Sequence, residues 1–234
     1  QSARNAGAQL LLVLNASPFH VGKGLEREVQ MGQRVQDCGL PLVYAHLVGG
    51  QDEVIFEGRS FALNAKAEVV ARAPAFQECL QTISVQNNQG PEVLQISGTK
   101  VSASNSWEED LWHALVLGIR DYLGKNGFPG AILGLSGGID SALVLALAVD
   151  ALGADNLHAV MMPSPYTADI SWIDSREMVK RLGVRYDEIA IAPLFEGFKL
   201  ALADQFKGLA EDTTEENIQA RVRGTLLMAM SNKT

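Results

Sequence analysis

The fold and the predicted chemistry follow from the stretch Gly130-Ala131-Ile132-Leu133-Gly134-Leu135-Ser136-Gly137-Gly138-Ile139-Asp140-Ser141. Its apolar beginning predicts a buried strand, and the apolar residues after Ser141 predict a helix, so a turn of small residues joins the two. The adjacent glycines Gly137 and Gly138 let the backbone approach a ligand without a Cβ in the way. A helix N-terminus at this point favours a bound phosphate, because its unpaired N–H groups and positive dipole end face the turn.

Three polar side chains add to this predicted phosphate site. Ser136 and Ser141 can donate hydroxyl hydrogen bonds there. Asp140 adds a carboxylate, and an acid in a phosphate site implies a cation, so Asp140 is the predicted ligand of Mg²⁺. The alternative is a tight strand-to-helix connection that binds nothing. The predicted ATP-binding residues are Gly134, Leu135, Ser136, Gly137, Gly138, Ile139, Asp140 and Ser141.

The order Ser-Gly-Gly-x-Asp-Ser after a strand resembles the pyrophosphate loop of the ATP-pyrophosphatase enzymes. The lysine-bearing phosphate loop and the dinucleotide fingerprint Gly-x-Gly-x-x-Gly are both absent from the sequence. The resemblance implies cleavage of ATP between its α and β phosphates, which forms an adenylate and releases pyrophosphate.

The composition limits the class of protein. The 234 residues allow one or two domains, and 47% hydrophobic with 20% charged residues is typical of a globular chain. A net charge of −8 disfavours nucleic-acid binding. No apolar run is as long as a membrane span, which needs about 18 residues. The first five residues do not resemble a signal peptide. Cys38 and Cys79 form neither a disulfide scaffold nor a metal spacing. We therefore expect a cytoplasmic protein without nucleic-acid or membrane partners.

The first third of the chain predicts strands around one helix. The apolar run 8–14 is typical of a strand covered on both faces. A helix is predicted over 25–38, with Gly39 as its stop and Cys38 as a packing residue on its inner side. The other residues predicted on that inner side are Val29, Gly32 and Val35. Further strands are predicted over 41–48, 54–56, 60–64 and 68–72, with the second and third of these in a hairpin or meander.

Three motifs in this first third, 15–18, 49–53 and 56–60, resemble the closing part of the nitrilase-type glutaminase domain of glutamine-dependent NAD⁺ synthetases. That family hydrolyses glutamine with a Glu-Lys-Cys triad, none of which lies in this chain. The resemblance implies that Ser17 and Lys23 bind glutamine, and a hydroxyl with an ammonium suits an amino acid. The alternative is a loop serine and a solvated lysine.

A polar, turn-rich segment then predicts a linker over 83–105, with one short strand at 92–96. A helix follows, capped by Ser106 and Glu109. His113 is predicted to be solvated on this helix. The predicted buried stripe consists of Trp107, Leu111, Ala114, Leu115, Gly118, Ile119 and Tyr122.

Strands and helices alternate in the second half. Strands are predicted over 130–135, 156–162 and 185–190, and helices after Ser141, over 170–182 and over 193–206. This alternation predicts a doubly wound parallel sheet with right-handed crossovers. A loop at the end of the second strand lies where such sheets bind ligands, and the family resemblance implies that Met162, Pro163 and Ser164 contact the adenosine of ATP.

The last helix is predicted to start with the capping box of Thr213 and Glu216 and to run through about Met230. Its predicted buried stripe is Ile218, Val222, Thr225, Leu226 and Ala229. The other face carries Asn217, Arg221, Gly224 and Met228. The segment 215–224 resembles an NAD⁺ synthetase motif, which implies that Asn217 contacts deamido-NAD⁺ and that Arg221 contacts this substrate or a phosphate. The alternative is a solvated face.

The sequence thus predicts an α/β protein that is part of a longer ligase. The predicted domains are 1–82, the closing part of a nitrilase-like glutaminase, the linker 83–105, and 106–234, the opening part of a doubly wound NAD synthetase domain. The implied activity amidates deamido-NAD⁺ to NAD⁺ through an adenylate, with ATP, L-glutamine and Mg²⁺, in a homo-oligomer. Two alternatives remain: another ATP-pyrophosphatase amidotransferase, such as a GMP or asparagine synthetase, and a non-catalytic nucleotide-binding scaffold.

Overall fold

The computed structural model describes residues 2–87, 94–98 and 101–233. The chain divides into two compact units, Gln1–Tyr122 and Leu123–Thr234. The predicted linker 83–105 falls inside the first unit, and part of the strand predicted at 92–96 lies outside the described residues. The domain bounds given above stay a prediction.

The first unit mixes helices with short strands. Its elements are α1 (Ser2–Asn5), β1 (Leu11–Asn15), α2 (Lys23–Cys38), β2 (Leu42–His46), β3 (Val48–Gln51), β4 (Val54–Glu57), β5 (Phe61–Leu63), β6 (Val69–Arg72), β7 (Ile83–Gln86), β8 (Gln95–Gly98) and α3 (Trp107–Asn126), whose last residues pass into the second unit.

A four-stranded sheet in the order β1-β2-β5-β6 forms the centre of this unit. β1 and β2 are parallel, and the other neighbours are antiparallel. α2 covers one face, where Val35 packs with Tyr44 and Phe61. The antiparallel pair β7 and β8 covers part of the other face, because Ile96 packs on Ala62 and Ala71. Because the segment 83–105 is mostly polar, the sequence predicted a linker there and not a pair of strands packed on the sheet.

Three expectations for this unit are wrong in detail. β1 is not covered on both faces in the described chain, since Leu12 and Leu14 are exposed. Val29 is 73% exposed, so the inner side of α2 is formed by Gly24, Arg27, Val35 and Cys38. The strand 54–57 pairs with β3 rather than with β5, because the turn at Asp52, with a φ of 51°, folds β4 back onto β3. The Gly39 stop and the burial of Cys38 are confirmed.

The capping box of α3 is confirmed, but its predicted buried stripe is wrong. Ser106 Oγ accepts the N–H of Glu109 at 3.2 Å, and Glu109 Oε2 accepts the N–H of Ser106 at 2.8 Å. From the predicted stripe, Ala114 is buried, whereas Trp107, Leu111, Leu115 and Tyr122 are exposed. The face turned inward carries Asp110, Ala114, Val116 and Leu117. His113 is exposed, as predicted.

The second unit is built around a parallel sheet. Its strands lie in the order β11-β10-β9. Its elements are β9 (Ala131–Gly134), α4 (Ile139–Leu152), β10 (Leu157–Met161), α5 (Asp169–Leu182), β11 (Arg185–Glu188), α6 (Ala192–Ala201) and α7 (Thr213–Ser231).

Helices cover both faces of this sheet, which confirms the doubly wound α/β prediction. Alternate residues of β10 point to opposite faces. On one face Ala159 packs with Leu145 of α4 and Val179 of α5. On the other face Val160 packs with Val222 of α7 and with Ile191.

Helix α7 begins one residue earlier than predicted, and part of its predicted buried stripe is wrong. The cap is Asp212 rather than Thr213, because Asp212 Oδ1 accepts the N–H of Thr214 at 2.7 Å and Glu215 Oε2 accepts the N–H of Asp212 at 2.8 Å. Thr225 and Ala229 are exposed. The residues that pack inward are Ile218, Val222, Leu226, Leu227 and Met230. Within the described ranges, no helix combines the length and apolar character that a membrane crossing needs.

Candidate nucleotide-binding site

The loop between β9 and α4 has a backbone that only glycine accommodates at its third residue. Gly137 has a φ of 80°, in the left-handed region. A Cβ at this position would lie 2.5 Å from both Cα and the carbonyl oxygen of Ser171 on α5. The loop therefore depends on Gly137 both for its turn and for its close approach to α5.

Two serine hydroxyls hold the loop together. Ser141 Oγ donates to the carbonyl oxygen of Gly138 at 3.0 Å and accepts the N–H of Ser136 at 3.2 Å. Ser136 Oγ lies 3.0 Å from Ser141 Oγ and accepts the N–H of Gly138 at 3.2 Å. Both hydroxyl oxygens thus bind groups of the loop itself. The first N–H groups of α4 begin directly after this loop and have no partner within the helix.

Asp140 lies in the first turn of α4 and is exposed. Among residues 2–87, 94–98 and 101–233, no group of three His, Cys, Asp or Glu side chains is arranged to hold a metal ion. One carboxylate beside a phosphate site nevertheless fits Mg²⁺, which usually takes one or two carboxylates together with substrate phosphates and waters. Asp140 therefore suits an ion that arrives with a nucleotide.

A cavity of about 560 Å³ opens at the carboxyl ends of β9 and β10. This edge is where parallel sheets bind ligands. The cavity volume is within the range of small-ligand pockets. Of the predicted residues, Gly134, Leu135, Ser136, Met162 and Pro163 line it. Sequence reasoning missed the rest of its lining, which consists of Met161, Thr167, Ala220, Arg223 and Leu227, and it had not assigned Gly224 to a nucleotide.

Of the remaining predicted loop residues, three line a second cavity, and Asp140 and Ser141 line neither of the two. Gly137, Gly138 and Ile139 border a shallower cavity of about 400 Å³, together with Asp174 and Arg181 of α5. Ser164 lines neither cavity, and its N–H is bound to Thr167 Oγ1 at 2.9 Å. The structure thus brings the loop and the strand-end residues Met162 and Pro163 to one edge of the sheet.

Arg223 is the charged residue of the larger cavity. It lies on α7, and its Nε donates to the carbonyl oxygen of Met162 at 3.0 Å. Burial lowers the pKa of Arg223 from its usual value, which still leaves this guanidinium charged at neutral pH. The feature of the sequence that could have indicated Arg223 is its position directly after Val222, a residue of the predicted buried stripe.

The predicted substrate pair on α7 lies outside this cavity. Arg221 Nη1 donates to the backbone oxygen of Asn217 at 3.2 Å and to its Oδ1 at 3.3 Å. Both residues are exposed. They therefore form a polar patch on α7, and their contact with deamido-NAD⁺ stays a prediction.

The predicted glutamine pair lies in the first unit. Ser17 is half-buried in the loop after β1, and its N–H donates to Asn15 Oδ1 at 2.9 Å. Lys23 begins α2 and lies 3.4 Å from Glu26 in a partly exposed ion pair. Gly22 precedes it with a φ of 80°, which sets the turn into the helix.

Comparison with known proteins places this chain in a family. The sequence profile described as NAD synthase matches residues 111–234, more than half of the chain. The chain belongs to the NAD synthase family. The resemblance stated from the Ser-Gly-Gly-x-Asp-Ser loop and from 215–224 is thereby confirmed at the level of the family.

Two curated members are similar over nearly all of this chain. The glutamine-dependent NAD(+) synthetase of Rhodobacter capsulatus is 46% identical over 97% of this chain and 41% of its own length. The one from Synechocystis is 43% identical over 97% of this chain and 40% of its own length. The chain therefore spans about two fifths of the length of these relatives.

Solved structures of NAD synthase family members have the same fold. The glutamine-dependent NAD⁺ synthetase of Acinetobacter baumannii, in complex with adenosine diphosphate, matches with a TM-score of 0.94 and 40% identity over 99% of this chain and 43% of that one. The enzyme from Cytophaga hutchinsonii matches with a TM-score of 0.80 at 19% identity, over 97% of this chain and 44% of that one. The second match concerns the fold alone.

Proposed function

We propose that this chain is the part of a glutamine-dependent NAD⁺ synthetase that binds ATP and activates deamido-NAD⁺. The observation that carries the proposal is the glycine loop that leads into α4 at the edge of the cavity at the ends of β9 and β10. The names of the curated relatives and the adenosine diphosphate complex of the Acinetobacter baumannii protein support it.

In this proposal, ATP places its phosphates on the first N–H groups of α4 and its adenosine in the cavity that Met162 and Pro163 line. A nicotinate carboxylate oxygen of deamido-NAD⁺ attacks the α-phosphorus, and the bond from that phosphorus to the bridging oxygen of pyrophosphate breaks. The N-terminus of α4 stabilises the charge that collects on the leaving pyrophosphate. Ammonia then attacks the acyl carbon of the adenylate, and AMP leaves with the bonding electron pair.

Asp140 is the residue of this chain that would hold Mg²⁺ against the phosphates. When bound, the ion supplies positive charge that offsets the phosphate charge in the transition state. Asn217 and Arg221 are the proposed contacts of deamido-NAD⁺. Ser17 and Lys23 are the proposed contacts of glutamine, whose hydrolysis provides the ammonia. Assembly into a homo-oligomer and a cytoplasmic location complete the proposal, and sedimentation and cell fractionation test them.

The test is ATP–pyrophosphate exchange by the full-length gene product with deamido-NAD⁺. Exchange should require deamido-NAD⁺, since the adenylate forms on that substrate. Asp140→Asn should lower the exchange rate at least a hundredfold, because a Mg²⁺ ligand supports charge stabilisation in the transition state. The matched control is Asp155→Asn, an exposed acid before β10 at the opposite edge of the same sheet. Exchange at the wild-type rate in Asp140→Asn would overturn the assignment of the metal ligand.

A further inference from the structure

A buried ion pair lies directly behind the loop that carries Ser17. Arg27 of α2 is 6% exposed, and Glu57 at the end of β4 is 1% exposed. Arg27 Nη1 pairs with Glu57 Oε1. The second arm of the guanidinium, Nη2, donates to Ser17 Oγ at 3.2 Å and lies 3.4 Å from the carbonyl oxygen of Ser17. One arginine thus joins a buried carboxylate to both the side chain and the backbone of the loop serine.

The surroundings hold this arginine in place. A Cβ on Gly24, one turn before Arg27, would lie 3.4 Å from Glu57 Oε2 and 3.2 Å from Cδ of Arg59, so the helix approaches the carboxylate closely at this point. Burial raises the pKa of Glu57, and the charge of Arg27 opposes that rise. A planar guanidinium with two parallel arms can serve two acceptors at once, which an ammonium on a flexible chain does less well.

A neighbouring arginine offers a contrast. Arg72 of β6 binds both carboxylate oxygens of Glu28 on α2, at 2.7 and 2.6 Å, and donates to the carbonyl oxygen of Ser102 at 3.0 Å. These contacts fix α2 to the sheet and do not include the loop after β1. Arg72 therefore represents an arginine of purely structural role on the same helix–sheet interface.

We propose that Arg27, anchored by Glu57, is a positioning residue that sets the direction of the Ser17 hydroxyl for glutamine binding. The inference rests on the proposed function, which gives Ser17 its contact with glutamine. The guanidinium has no acceptor capacity, so it takes a lone pair of Ser17 Oγ and leaves the hydroxyl proton to point away from Arg27. That proton is then available to an acceptor on the amino-acid substrate.

The experiment uses the full-length gene product and two activities. The KM and kcat for glutamine are measured in glutamine-dependent NAD⁺ formation, and ammonium replaces glutamine in a second assay that reports on an intact synthetase. Arg27→Lys keeps the charge beside Glu57 but loses the second arm. It should raise the KM for glutamine about tenfold, as expected for a hydrogen bond from a charged group, with kcat within about twofold. Arg72→Lys is the matched control and should leave both constants within about twofold of wild type.

A double-mutant cycle separates positioning from general stability. Ser17→Ala removes the hydroxyl that Arg27 orients, so Arg27→Lys should add less than about twofold to the KM of Ser17→Ala. If the KM of the double variant is instead about ten times that of Ser17→Ala, Arg27 acts independently of Ser17 and the proposal is overturned. A wild-type KM in Arg27→Lys, beside a raised KM in Ser17→Ala, would overturn it as well while leaving the glutamine contact of Ser17 standing.

Two outcomes concern folding and the proposed function. Loss of the ammonium-dependent activity in Arg27→Lys would mean a folding defect, and the decisive variant is then Glu57→Gln, which keeps a neutral acceptor but removes the charge that anchors Arg27. That variant should raise the KM for glutamine about threefold, and an unchanged KM overturns the proposal. An unchanged KM in Ser17→Ala would instead remove the glutamine contact itself and the positioning role together.

Discussion

Gly137→Ala tests whether the nucleotide loop has the tight backbone that the structure shows. The change adds one methyl group at a φ of 80°, and that methyl group would lie 2.5 Å from two backbone atoms of Ser171. An L-residue in the left-handed region costs about 1–2 kcal/mol. Overpacking against backbone adds about 1–3 kcal/mol, because the main chain of α5 cannot rotate away as a side chain could. The expected loss of unfolding free energy is thus about 2–5 kcal/mol.

Gly183→Ala is the matched control for this substitution. Gly183 ends α5 in the same unit with a φ of 69°, and a Cβ there would meet nothing within 4 Å. It should lose only the backbone cost of about 1–2 kcal/mol. The difference between the two variants therefore isolates the contact with Ser171.

The assays are urea unfolding and the KM for ATP in pyrophosphate exchange. Gly137→Ala should unfold at a lower urea concentration than Gly183→Ala, because it loses more unfolding free energy. The two midpoints can be compared directly, since the dependence of that free energy on urea is set by the surface exposed on unfolding and is the same for both variants. If the loop relieves the contact by moving, the KM for ATP should rise instead, because the first N–H groups of α4 move with it. Equal stability and equal KM values in the two variants would refute the close approach of the loop to α5.

Two further predictions concern buried residues, His46 in the first unit and Leu145 in the second. Burial, and then the charge of Arg27, lower the pKa of His46, so the unfolded chain takes up a proton at a higher pH than the folded one. Stability should therefore fall as the pH drops below about 6.5, by at most about 1.4 kcal/mol per pH unit, and His46→Asn should remove this part of the slope in urea titrations at pH 7.5 and 5.5. Leu145→Ala should cost about 2–5 kcal/mol in the same assay, because Leu145 is fully buried in α4, whereas Leu200→Ala on exposed surface should cost little. A flat pH response in the wild type, or equal losses in the two leucine variants, would contradict these assignments.

The second unit could be predicted well because its signals are local. The strand, the glycine turn and α4 are adjacent in sequence, and each carries the residue types that its conformation needs. The strand predicted over 156–162 is present as β10, and all five of its residues are buried, as is typical of the central strand of a parallel sheet. Short loops join these elements, so their order alone defines a parallel sheet with helices on both sides.

The orientation of α3 could not be predicted from hydrophobic periodicity. Trp107, Leu111 and Leu115 form an apolar stripe in the sequence, but two carboxylates on another face find partners inside the first unit. Asp110 Oδ1 accepts from Asn105 at 2.9 Å and its Oδ2 lies 3.8 Å from Arg59, while Asp121 Oδ2 accepts the N–H of Gly50 at 2.7 Å. Carboxylates that are withdrawn from water need such partners, and two of them, Arg59 and Gly50, lie far away in the chain and leave no periodic signal.

The same limit explains why Arg223 could not be recognised from the sequence as a residue of the cavity. Arg221 and Arg223 differ by two residues, which on a helix is about 200° of rotation, so they point to nearly opposite faces. Arg221 lies one turn after the polar Asn217, and its guanidinium contacts that residue on the surface. Arg223 follows the buried Val222, and its Nε finds the carbonyl oxygen of Met162 at the end of β10. A carbonyl that leaves the sheet ladder needs a donor, and only the pairing of α7 with β9 and β10 in space shows which arginine supplies it. On α7, the arginine that borders the apolar stripe therefore lines the cavity at the strand ends, whereas Arg221 lies on the exposed face.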